Sequence, residues 1–181
     1  WVAERIEETV VSNSAASAAL YMTSLVEPIF LPENSGTGLS KDQIEALDAL
    51  FATPPLAQRI VSFKIWGEGG LVVYSSRKDL VGRRFNVGPR QKRAWSGEVA
   101  AEIDDLSDAE NDAERKLGIP ILEIYAPLHA SGSGRVIAVC EFYDNANSIV
   151  SDVRRAKLSS WLVVGSSGFA MFLVLMGVVR P

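Results

Sequence analysis

The sequence predicts an α+β fold: one antiparallel sheet of five strands, a long helix before it and a membrane-crossing helix after it. Three observations predict this. Apolar residues recur at helical spacing through the first 30 positions, as Val2, Ile6 and Val10 and then Met22, Leu25, Val26 and Ile29. Five short β-patterned stretches follow, most of them joined by glycine-bearing turns. Residues 158–179 then form an uncharged run of 22 residues. At about 1.5 Å per residue this run reaches roughly 33 Å, enough for a hydrocarbon core of about 30 Å.

Composition narrows the function classes. Of 181 residues, 157 precede the apolar run, which suits one domain with a sizeable core. A net charge of −4 and the absence of a basic-aromatic stripe argue against nucleic-acid binding. The single cysteine, Cys140, excludes an internal disulfide and lies mid-strand, where a buried small hydrophobe is expected. No Walker-type phosphate loop, Cys/His cluster or serine elbow occurs in the part before the span, so neither a catalytic site nor a cofactor is expected. The chain reads as a fragment cut close to two boundaries.

Each element has its own signal. Residues 1–30 form the first helix, with Pro28 and Pro32 at its end and small residues (Ser12, Ser14, Ala15, Ala16, Ser17, Ala18, Ala19) in its middle. Positions 9–26 carry no charge. Ser12, Asn13, Ser14, Ser17, Thr23 and Ser24 nevertheless count against a second span and favour a water-exposed helix packed closely on another helix. A loop covers 33–39. Ser40 with Gln43 forms a capping box for a short helix from Lys41, which Pro54 and Pro55 are expected to stop.

The first strand, 59–66, places Val61, Phe63 and Ile65 on one face and Ser62 and Lys64 on the other. Gly67-Glu68-Gly69-Gly70 turns it into the second strand, 71–76. A helical turn and a bend at Gly82 fill 77–85, a short helix spans 89–96, and the third strand covers 98–103. An acidic loop over 104–118 leads to the fourth strand, 119–128, and a glycine turn to the fifth, 135–143. Asp144 or Asn145 is expected to cap the next helix. The segment between the second and third strands is expected to cover one sheet face, with a cavity beneath it.

Several of these pieces are similar to one known family. Ile65-Trp66, the glycine turn, Val73-Tyr74-Ser75-Ser76 and Leu80-Val81-Gly82-Arg83-Arg84-Phe85 resemble the first hairpin of Cache-type sensor domains, the PAS-like (PDC) extracytoplasmic domains of bacterial receptors. Residues 97–103, 122–128 and 134–143 fit the later strands in order. The resemblance implies a PAS-like sheet behind a long N-terminal helix, and a sensor domain in the periplasm or outside the cell. It also implies anchoring in the bacterial inner membrane and output through a histidine kinase of a two-component system, or through a diguanylate cyclase or chemotaxis transducer. It divides the chain into helix and loop (1–38), sensor core (39–144), juxtamembrane helix (145–157) and transmembrane helix (158–179). Arg154, Arg155 and Lys157 precede the span; taken alone, the positive-inside rule would put the domain in the cytoplasm. The outside assignment rests on the resemblance.

The chemistry-bearing residues are grouped by sign. Residues 77–93 hold seven basic side chains against one acid, Asp79. If the segment caps the pocket, Arg77 and Arg83 can fork onto a small anionic ligand, with Lys64, Trp66, Tyr74, Trp95 and Tyr125 completing the site. The plainer reading is a solvated basic face. Residues 98–114 hold eight acids and no base. Asp108, Glu110, Asp112 and Glu114 imitate an EF-hand, but Ala113 stands where glycine is needed and Ile119 where the bidentate glutamate belongs, so no metal is expected. His129 reads as a surface residue, and Glu123 and Glu141 as the exposed face of an edge strand. A small-molecule ligand, the membrane and a second copy of the chain, docked along the first helix, are the expected partners. The rival expectation is a membrane-tethered module that binds protein or lipid and no small molecule.

Overall fold

Side-chain alternation along each strand decides which neighbours it takes. The computed structural model describes residues 2–30, 38–104, 116, 118, 120–130, 133–146, 165–168 and 171. Its strands are β1 (Ile60–Gly67), β2 (Leu71–Ser75), β3 (Ala100–Asp104), β4 (Ile121–His129) and β5 (Val136–Asn145). They form one antiparallel sheet in the order β2-β1-β5-β4-β3. The helices are α1 (Val2–Phe30), α2 (Lys41–Phe51), α3 (Pro54–Arg59) and α4 (Pro89–Trp95).

One sheet face is apolar except for Asp144 near the end of β5. Phe63, Ile65, Tyr74, Leu122, Ile124, Ala126, Cys140 and Phe142 meet Ala15, Ala18, Ala19, Met22 and Val26 of α1, with Leu47 of α2 and Leu56 of α3. Of the small residues of α1, Ala15, Ala18 and Ala19 pack on the sheet, while Ser12, Ala16 and Ser17 stay exposed. Alanines let the helix backbone come close to β4 and β3, where a longer side chain would hold it off. Cys140 is buried among them.

The turns use the residues the sequence offered. Ser40 and Gln43 make the reciprocal capping box of α2. Gly69 and Gly70 carry φ of +65° and +72° in the turn between β1 and β2, a region L-residues avoid. Pro54 and Pro55 do not simply end α2. They open α3 at its first positions, where no backbone donor is required.

Other expectations are corrected. Asp144 and Asn145 lie inside β5; Asp144 is buried and takes the guanidinium of Arg59, with Nε at 2.8 Å and Nη2 at 2.6 Å. Among the described residues no helix is long and apolar enough to cross a membrane. The span expected over 158–179 falls outside them, except for the helical positions 165–168 and 171. The acidic loop and the juxtamembrane segment also lie almost wholly outside the described residues.

Candidate functional site

The second sheet face is covered by α4 and carries charge. Antiparallel register sets side chains of adjacent strands side by side, so a polar residue on each strand produces a row. One row runs Ser75, Lys64, Glu141, Tyr125, Ala100 across all five strands. A second runs Ser62, Tyr143, Glu123, Glu102 across four. Trp66 and Val139, one step along, supply the apolar end, together with Leu80 and Ala94. Lys64, Glu123, Glu141 and Tyr143 have no exposed surface.

The contacts within the rows are dense. The Lys64 ammonium donates to Glu141 Oε1 at 2.9 Å and to the Tyr143 hydroxyl at 2.7 Å, and stands 4.5 Å from the Tyr143 ring centre. Glu141 also accepts from the indole Nε1 of Trp66 and from the Tyr143 hydroxyl. The Tyr143 hydroxyl is 3.1 Å from Glu123 Oε1, which accepts from the Tyr125 hydroxyl at 3.1 Å. From α4, Arg90 Nη2 reaches Glu123 Oε2 at 2.8 Å, while its Nη1 donates to Glu102. Burial and the charges of Glu141 and Glu123 push the Tyr125 phenol far up, so it remains a donor.

Removing two ion pairs from water costs several kcal/mol per ion before attraction repays it, and a packed apolar face would hold the sheet as well. A charged face this deeply covered is therefore a functional-site candidate. Three buried polar atoms accept or donate no hydrogen bond among the described residues: the Ser62 hydroxyl, the Gln91 amide nitrogen and Glu123 Oε2, which meets Arg90 as an ion pair without hydrogen-bond alignment. Gln91 is 3% exposed and, with Ala94, is the buried side of α4.

The sequence-predicted residues separate into two sets. Lys64, Trp66 and Tyr125 meet here, and Trp95 packs at the margin. Tyr74 points to the opposite face, donating to Asp48 at 2.7 Å with Lys78 over its ring. Burial and Asp48 push its phenol up, while Lys78 and Tyr74 hold the Asp48 carboxyl below the usual range. Arg77 pairs with Asp79, and Arg83 lies over Phe85. The basic segment thus disperses onto separate partners, and of its cations Arg90 is the one placed against the buried rows.

Glu123 and Glu141 correct an expectation. β4 and β5 are interior strands, and both carboxylates are buried. Their strands carry large apolar residues on the opposite face, a pattern shared by exposed edge strands, so the sequence signal was ambiguous. His129 is half-buried, and its backbone N–H donates to Glu27 of α1 at 2.9 Å. A cavity of about 550 Å³ lies around the β3 edge between α1 and α4, lined by Ser12, Arg93, Val99, Glu102 and Ile103 among others. Among the described residues no cluster of metal-ligating side chains occurs.

No protein-family model matches the chain, and no curated protein matches it. Solved structures of similar shape include the ligand-binding domain of the Pseudomonas aeruginosa PAO1 amino acid chemoreceptor PctC, in complex with GABA. It is 14% identical with a TM-score of 0.49, and the match covers 82% of this chain and 61% of that one. An extracellular ligand-binding receptor from Desulfohalobium retbaense is 17% identical with a TM-score of 0.46, over 83% of this chain and 25% of that one. The A. aeolicus NLH2 GAF domain, in an inactive state, is 13% identical with a TM-score of 0.45, over 80% and 90%. This chain thus spans under two thirds of the first two. None of the three likenesses assigns a ligand or an activity to it.

Proposed function

We propose that the chain is the sensor domain of a bacterial membrane receptor of the Cache type. It binds a small polar ligand between α4 and the sheet. Ligand contacts with Lys64, Trp66 and Tyr125 shift β5, which carries Glu141 and Tyr143. The segment after β5 carries that shift through a span at 158–179 to a cytoplasmic output module, a histidine kinase of a two-component system. Displacements of about 1 Å in a helix are a sufficient switching mode. The sensor lies in the periplasm or outside the cell, and two copies pair along the exposed side of α1, where Leu20 is 73% exposed and Tyr21 is exposed beside it.

The observation that carries this reading is the buried charged face, joined to the strand that leads towards the output. Gln91, buried with its amide nitrogen unsatisfied, supports a polar guest beneath α4.

A second reading, a tethered interaction module without a small ligand, is favoured by one observation. Lys64, Glu123, Glu141 and Tyr143 already fill the space they line, leaving no exposed surface. Calorimetry on the full chain in lipid nanodiscs separates the two, with a panel of small carboxylates, amines and amino acids. The sensor reading expects heat from at least one class, abolished by Trp66→Ala. No binding across the panel, with the chain folded, refutes it in favour of the tethered module.

A further inference from the structure

We propose that α4 is a hinged cover over the buried charged face and that Arg90 is the latch that holds it closed. This rests on the reading above only in naming what the cover admits; the latch itself is argued from the contacts.

Little apolar surface holds α4 down. It has seven residues, and the two it buries are Gln91, whose amide nitrogen has no partner among the described residues, and Ala94, a single methyl group. Trp95 adds a half-buried ring at one end. A segment with so few buried apolar contacts belongs to the low-stability part of a fold. Its flanks are permissive: Gly88 precedes it, and Gly97 follows with φ of +93° and open space where a Cβ would stand.

Arg90 supplies what packing does not. Glu102 of β3 and Glu123 of β4 are directly opposite one another in the register, an arrangement that repels without a cation. One guanidinium spans them, Nη1 on Glu102 and Nη2 on Glu123. Glu123 is fully buried, whereas the Arg90 side chain keeps 28% of its surface in water. The latch is thus reachable from outside while its catch lies inside. When the guanidinium leaves, Glu123 becomes a buried carboxylate facing the exposed Glu102, and the cover lifts to let water reach it.

Amide hydrogen exchange of the full chain in detergent micelles tests this without any ligand. In Arg90→Ala, amides of 88–99 are expected to exchange about ten- to a hundredfold faster, as loss of a charged hydrogen bond predicts. Amides of β5 stay within about threefold of the parent. Arg90→Lys, which keeps the charge but loses the fork, gives an intermediate rate. Unchanged exchange over 88–99 overturns the latch, since packing alone would then hold α4. Uniform acceleration across the chain overturns the hinge, since α4 would then open only with the whole sheet. Should Arg90→Ala not fold, Glu102→Gln removes the exposed half of the latch and is expected to give the same local acceleration at about threefold; no change there also overturns the latch. Because no ligand is present, a silent binding panel leaves this result standing, and the converse holds.

Discussion

Lys64→Met isolates the energetic logic of the buried face. Methionine fills nearly the volume of lysine without its charge, so packing is conserved and the ammonium alone is removed. The ammonium donates to Glu141 Oε1 at 2.9 Å and Tyr143 at 2.7 Å, and both side chains of the ion pair are wholly buried. Glu141 keeps its contacts with Trp66 and Tyr143 but loses its countercharge inside the sheet. Breaking one partner of such a pair costs about 3–5 kcal/mol. With a urea slope of about 2 kcal/mol per molar, the midpoint falls by about 1.5–2.5 M. The assay is urea unfolding of the full chain in mild detergent, followed by tryptophan emission. Adding Glu141→Gln removes the stranded charge, so the double variant is less destabilised than the sum of the singles by at least about 1.5 kcal/mol. If Lys64→Met lies within about 1 kcal/mol of the parent, or the two changes simply add, the pair is not desolvated and its charges are not coupled.

Two further outcomes follow from the geometry. Tyr74, Tyr125 and Cys140 all have ionisation pushed above their ordinary values of 10.0, 10.0 and 9.0, with burial the largest cause. A raised value means the fold favours the protonated form, so this stability is complete below about pH 9 and is lost as pH rises. Cys140 removes about 1.4 kcal/mol per pH unit above about pH 9, and each tyrosine as much above about pH 10, where the three together remove about 4 per unit. Urea midpoints at about pH 8, 10 and 11 read the slope, and Tyr125→Phe lowers it by about a third. Gly70→Ala and Gly82→Ala form the other test, by the same unfolding assay. Both glycines have positive φ, but a Cβ at Gly70 overlaps the Phe85 carbonyl oxygen while one at Gly82 meets nothing within 4 Å. The expected costs are more than about 3 kcal/mol and about 1–2 kcal/mol respectively. Equal costs would show that φ alone matters.

Much of the architecture was legible because local signals agreed with the tertiary result. Phe63 and Ile65 alternate with Lys64 as a half-apolar strand should, and Gly69 and Gly70 mark a turn whose dihedrals only glycine adopts readily. What stayed hidden depends on neighbours far along the chain. Nothing within Leu122-Glu123-Ile124 says whether the carboxylate faces water or a second layer. That is decided by β4 being interior and by α4 lying above it. Likewise, seven bases between 77 and 93 read as one field, yet Asp79, Asp48, Phe85 and Glu98 each draw one away. Arg90 could be singled out only once β3 and β4 set two carboxylates opposite each other. Asp144 reads as a helix cap by type; its burial against Arg59 follows from where β1 begins.

The position of β5 in the sheet has a consequence during synthesis. β1 with β2 and β3 with β4 are each adjacent in sequence and can zip locally, but the two pairs share no ladder. The strand that bridges them leaves the ribosome last, so until residue 145 has emerged each pair exposes an uncovered backbone edge. Nascent chains stalled before that point hold two half-sheets without a keystone. Such chains should recruit holdase chaperones and resist assembly, whereas chains released a few dozen residues later should not.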